Sequence, residues 1–258
     1  LHVGASGVIR GEDAGDRPRP YGAVQASYAE ASVPPASTAV ELDPASFVRS
    51  SGEAETAAAA EGGPPALSWP RGGGWAEWEF QVPEDGLYQL EIEYMPAERG
   101  VSPVVVGVMI DGAYPFREAE ALQLERVWRD ASYPYRRDPL DNEIRSVQTE
   151  TPGWKTKKLD HYGAASGPLL WRLSAGMHTL RLVIVKEPVM IRAVRFAPPD
   201  RVPDYAEYLG HAPPDGAPAE WSVTVQAERD FEKSSLSIQT ESLAEPGVVP
   251  DPKGRIVY

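Results

Sequence analysis

The stretch "WAEWEFQV" (75–82) alternates large apolar with polar residues, and so does "LYQLEIEYM" (87–95). Only "PEDG" (83–86) separates them. A period of two puts every second side chain on one face, the pattern of a half-buried strand. Proline and glycine in the gap supply fixed and positive φ for a tight turn. The pair therefore reads as an antiparallel hairpin with one apolar face, which a second layer must cover. Tyr88, Leu90, Ile92 and Tyr94 share that face and read as core. Trp75 and Trp78, three positions apart, face opposite sides, so one is core and the other is capped by a loop.

More strands follow the same logic. They are a run from Thr38, "VVVGVMIDG" (104–112) ending in an Asp-Gly turn, "PLLWRLS" (168–174), "HTLRLVIVK" (178–186) and "VMIRAVRFA" (189–197). Short strands broken by Gly and Pro turns predict an all-β fold, an antiparallel β-sandwich of jelly-roll type over 38–198. The 26 prolines and 23 glycines among 258 residues agree with many turns and few long helices. Residues 1–37 read as a flexible or draped N-terminal arm, and 199–220 as a Pro-rich linker. Residues 221–258 are strand-like again. Val225, Glu228, Phe231, Ser234 and Ser235 echo Val40, Asp43, Phe47, Ser50 and Ser51. This tail reads as the opening strands of a second, incomplete sandwich or as a pairing segment, since a lone hairpin cannot bury its own face.

A net charge of −13 disfavours nucleic acid and anionic membrane as partners. No apolar run is long enough to span a bilayer. The absence of cysteine excludes disulfides, thiolate metal sites and a cysteine nucleophile. The chain starts at Leu1 and reads as a processed or excised fragment. No HExxH, GxSxG or P-loop pattern occurs, and the expectation is a non-enzyme.

The interval 113–167 is dense in recognition chemistry. Read as a long inserted loop, it holds Trp128, Tyr133, Tyr135, Arg136, Arg137, Asp141, Asn142, Trp154 and Tyr162. Flat aromatic faces stack on sugar C–H groups, and planar polar groups pair with hydroxyls, so these nine are the candidate carbohydrate-binding residues. An alternative makes "FREAEALQLERVW" (116–128) a short amphipathic helix, with Trp128 and Trp154 as core plugs.

"WAEWEFQVPEDGLYQLEIEY", "VMIDGAYPF" and "LSAGMHTLRLVIV" resemble the jelly-roll modules of carbohydrate-binding families 6 and 35 over about residues 38–197. "RVW", "RRD", "PGW", "GPLLWRLSAGMHTL" and "KEPVMIRAVRF" resemble the sandwich domain of large extracellular solute-binding proteins of Gram-positive ABC transporters. The resemblance implies a glycan-binding domain, extracellular or cell-surface, exported by a bacterium. It also implies a structural calcium held by an acidic pair on the first strand, which Glu41 and Asp43 match in type. Arg192 stands where the group carries a further acid. The alternative function is structural: assembly into homo-oligomers or filaments by strand addition through the terminal segments.

Overall fold

The computed structural model describes residues 17–51, 54–57, 65–201, 203–205, 207, 240–242 and 255–257. In chain order its elements are α1 (Tyr21–Glu30), β1 (Val40–Leu42), β2 (Arg49–Ser51), β3 (Glu55–Ala57), β4 (Ala66–Trp69), β5 (Trp75–Val82), β6 (Gly86–Pro96), β7 (Val104–Ile110), β8 (Leu122–Leu124), β9 (Trp128–Asp130), β10 (Arg136–Arg137), β11 (Glu143–Ile144), β12 (Gln148–Glu150), β13 (Lys155–Lys158), β14 (Leu170–Leu173), β15 (Gly176–Lys186), β16 (Val189–Ala197), β17 (Thr240–Ser242) and β18 (Arg255–Val257). A seven-stranded sheet runs β13-β6-β16-β4-β3, with β14 also on β6 and β1 also on β16. A five-stranded sheet runs β2-β5-β15-β7-β8. The ladders within both sheets are antiparallel, as the alternating pattern predicts.

The core lies between the two sheets. Ala76, Trp78, Phe80 and Val82 bury one face of β5, and Tyr88, Leu90, Ile92 and Tyr94 bury one face of β6. Phe80 stacks on Phe196 of β16 with centroids 5.1 Å apart, which joins the sheets. Each such side chain contributes about 1.5–3 kcal/mol on burial. Trp75 lies on the opposite face of β5, its ring covered by the Arg181 guanidinium 4.0 Å away. Beside it Glu77 is buried between Arg49 and Arg181, so this face carries a paired charge where alternation alone predicts solvent.

Two turns differ in why they need glycine. At Asp111-Gly112 both φ values are positive, 51° and 80°, which suits a two-residue hairpin turn. Gly86 has no positive φ, contrary to the sequence expectation for "PEDG". Its requirement is space: a Cβ there would meet the Ala36 backbone at 3.0 Å.

That contact belongs to a segment that reads as an arm. Residues 21–30 form a helix after Pro20, with Tyr21, Val24 and Tyr28 buried. The Tyr21 N–H donates to Glu118 at 2.7 Å, and its hydroxyl accepts from the Leu170 N–H at 2.9 Å. Its ring packs edge-on against Phe116, which in turn meets Trp171. Farther on, Ala36 N–H and Leu87 C=O pair at 3.0 Å. Residues 116–128 are not the amphipathic helix of the alternative reading. Only Arg117–Glu120 turn helically, and β8 alternates buried Leu122 and Leu124 about exposed Gln123.

The predicted long loop is instead a β-ribbon. Trp128, Arg129 and Asp130 of β9 face Glu150, Thr149 and Gln148 of β12. Farther out, Arg136 and Arg137 of β10 face Ile144 and Glu143 of β11. Pairings this short leave no readable period in sequence. The tip is closed by Asp138, whose carboxylate accepts from the Leu140 and Asn142 N–H groups at 2.9 and 2.8 Å. The base is held by Arg126, which is buried. It donates to Glu150 (2.6 Å), Glu187 (3.1 Å) and the carbonyls of Ser102 (2.6 Å) and Glu98 (2.7 Å). Gly100 leaves room for it: a Cβ there would lie 2.9 Å from the guanidinium.

The repeat at residues 225–235 lies outside the described residues. Beyond it, β17 pairs with β18 in the same chain.

Candidate functional site

β8 and β13 are edge strands of the two sheets, and their ends meet on one flank of the sandwich. The Tyr94 hydroxyl donates to the Glu125 carbonyl at 2.7 Å, tying β6 to the chain just past β8. Lys157 of β13 bonds the Glu125 carboxylate and lies 2.8 Å from Asp160. After β13 the ladder continues for one step, Leu159 N–H to Leu90 C=O at 2.8 Å. The chain then leaves the sheet and returns at Leu169, whose N–H donates to the Leu159 carbonyl at 2.8 Å. This pinned loop faces residues 121–125 across a cleft of about 940 Å³. Ala121, Gln123 and Glu125 line one side. Asp160, His161, Tyr162, Gly163, Ala165, Ser166 and Gly167 line the other. The volume falls in the range of small-molecule pockets, roughly 300–1,000 Å³.

Tyr162 is fully exposed. Local geometry puts it there. Ala164 N–H closes a turn onto the His161 carbonyl at 3.1 Å, and Gly163 takes a φ of 87° within it. Tyr162 therefore occupies the corner of the turn and its ring projects away from the sheet. Beneath the cleft Lys157, only 9% exposed, neutralises part of the charge of Glu125 and Asp160 and fixes their positions. The cleft thus offers an aromatic ring, two oriented carboxylates, an amide at Gln123 and a hydroxyl at Ser166.

The nine predicted binding residues separate into three places. Tyr162 alone is in the cleft. Trp154 precedes β13, with the Arg192 guanidinium 4.5 Å over its ring; Arg192 in turn donates to Glu93 at 2.6 Å. The rest are on the ribbon. Trp128 is buried at its base, 6% exposed, so its ring is not a stacking platform. Tyr133 and Tyr135 pack edge-to-face at 5.8 Å, and Tyr135 donates to Asp130. Arg136 is exposed. Arg137 pairs with Asp141 and Glu143, each near 3 Å, and Asn142 donates to Asp138. These bonds close the ribbon on itself. Glu125, Lys157 and Asp160 were not singled out by sequence; the only local signal is the run "KKLDHYG" (157–163).

The acidic pair matched to calcium does not fit a calcium cage. Glu41 lies across from Arg195 of β16 and forms an ion pair with it at 3.8 Å. Asp43 accepts from the Ala45 N–H and caps the turn at Pro44–Ser46. Among the described residues no group of three or more His, Cys, Asp or Glu side chains is placed to hold a metal ion.

One arrangement looks catalytic. His178 Nδ1 lies 2.7 Å from Asp111, and Nε2 lies 3.2 Å from the Ser174 hydroxyl. Nε2 lies closer to the Ser174 carbonyl, at 2.9 Å, than to its hydroxyl, and both ring nitrogens face turn residues. The histidine ties the β14–β15 turn to the end of β7. Among the described residues no helix is long and apolar enough to cross a membrane.

No family model matches the chain, and no curated protein is significantly similar to it. Solved structures with partial likeness include carbohydrate-binding modules. A family 35 module from Cellvibrio japonicus is 14% identical, with a TM-score of 0.38, over 63% of this chain and 95% of its own. A family 35 module from Clostridium thermocellum is 13% identical, with a TM-score of 0.36, over 62% and 98%. The C-terminal family 6 module of a laminarinase from Zobellia galactanivorans is 15% identical, with a TM-score of 0.35, over 62% and 99%. The assignment as an antiparallel β-sandwich rests on the strand pairing itself.

Proposed function

We propose that this chain is a non-catalytic glycan-binding β-sandwich, and that it takes an oligosaccharide in the cleft between residues 121–125 and 160–167. The observation that carries the reading is Tyr162: a whole aromatic ring stands in water on the wall of a cleft, beside carboxylates already fixed by Lys157. Folding gains nothing from that exposure, whereas a sugar ring gains a flat partner for its C–H face. Planar carboxylates and the Gln123 amide supply paired acceptors and donors for neighbouring hydroxyls. An extracellular or cell-surface setting in an exported bacterial protein belongs to the same proposal.

A glycan array probed with the full chain and with Tyr162→Ala tests it. The expected result is a set of oligosaccharide hits that the variant loses by about tenfold or more, with unchanged thermal unfolding. Hits that survive the substitution, or none at all with the parent chain, count against the cleft.

A further inference from the structure

The charge inside the cleft is one-sided. Among the described residues, the ionisable side chains lining it, besides His161 and Tyr162, are Glu125 and Asp160, and no lysine or arginine lines it. Lys157 approaches from beneath and engages Oε1 of Glu125 and Oδ1 of Asp160. Both carboxylates nevertheless keep solvent access, with side chains 30% and 51% exposed. Two carboxylates against one ammonium leave one negative charge uncompensated at the cleft floor. Tyr162 adds the negative face of its ring, which attracts cations. The chain as a whole carries −13.

From this arrangement we infer that the cleft selects glycans carrying free amino groups, with the ammonium of a hexosamine seated between Glu125 and Asp160 beside the Tyr162 ring. The inference rests on the glycan-binding reading of the same cleft. A protonated amino sugar offers both what the carboxylates need, a cation with several donors, and the C–H face that the tyrosine needs. An N-acetylated sugar keeps the face but gives up the charge. A uronic acid meets two like charges across the cleft and is repelled.

Calorimetric titration of the full chain with three β-1,4-linked hexamers tests this: glucosamine, N-acetylglucosamine and glucose. The expected result is about tenfold tighter binding of the glucosamine hexamer than of its acetylated counterpart, the scale of one ion pair in a partly solvated site. The preference shrinks with added salt. It is lost in Asp160→Asn, a half-exposed position, where the glucosamine hexamer loses more affinity than the glucose hexamer, whose hydroxyls keep an amide oxygen to donate to. Equal affinity for glucosamine and N-acetylglucosamine hexamers overturns the charge selection alone, and so does a preference that persists in Asp160→Asn. Failure of all three hexamers to bind overturns both this inference and the glycan reading beneath it.

Discussion

The Lys157 ammonium lies 2.8 Å from the Asp160 carboxylate, three residues along the chain, and it approaches from the protein side rather than from solvent. It also holds Glu125, which is 32 residues away in sequence. One buried cation therefore positions both acids of the cleft. Replacing it with methionine keeps the stem packing and removes the charge. Glu125 is left partly buried without its partner, which costs about 1–3 kcal/mol, measured by denaturant unfolding. Glycan affinity falls as well, because the two carboxylates lose their fixed spacing.

Gly163 carries a positive φ at the turn that displays Tyr162, and the space a Cβ would occupy there is open. Gly163→Ala therefore meets only backbone strain, roughly 1–2 kcal/mol. The expected outcome is a small loss of stability with a larger loss of glycan binding, since the turn relaxes by moving the tyrosine. Equal binding by the parent and Gly163→Ala would separate Tyr162 from the site.

Arg126 has four charged or carbonyl partners on three segments and is almost wholly buried. Arg126→Met leaves the buried Glu150 carboxylate without its guanidinium. Loss of one partner of a buried pair costs about 3–5 kcal/mol, to be read from chemical denaturation. Limited proteolysis is expected to cut the variant first between residues 130 and 147, because the base of the ribbon has opened.

The Asp138 carboxylate is held below the ordinary aspartate range, first by the Asn142 side chain and then by the Asn142 and Leu140 N–H groups. A depressed folded-state pKa gives stability that is complete above the unfolded value, near 3.9, and is lost as pH falls through the lower folded value. Amide exchange at Asn142 and Leu140 should therefore stay protected at neutral pH and rise only in strong acid. In Asp138→Ala it should be fast at every pH, while amides of β5 and β6 are unaffected.

The sandwich was legible because its strands obey a single rule over long runs. Residues 75–82 and 189–197 coincide with β5 and β16, since one face of each meets the core and the other does not. The ribbon was not legible, because pairings of two or three residues carry no period and Arg, Asp and Pro crowd the segment. Helix α1 was missed for a different reason. It has no side-chain cap hydrogen bond at its start, and its order comes from the contacts of Tyr21 with Glu118, Leu170 and Phe116. In the cleft, Tyr162 was visible as one of the aromatics of the interval 113–167. Its partners were not, because Glu125 and Lys157 meet only when the edges of two sheets come together.

The most direct test of the account is to map a bound oligosaccharide onto the chain by backbone NMR shift perturbation. The account predicts shifts concentrated at 121–125 and 157–167, with ring-current effects that disappear in Tyr162→Ala. Perturbations confined to the ribbon at 133–145, or to the neighbourhood of Trp154 and Arg192, would contradict it and move the binding site off the cleft.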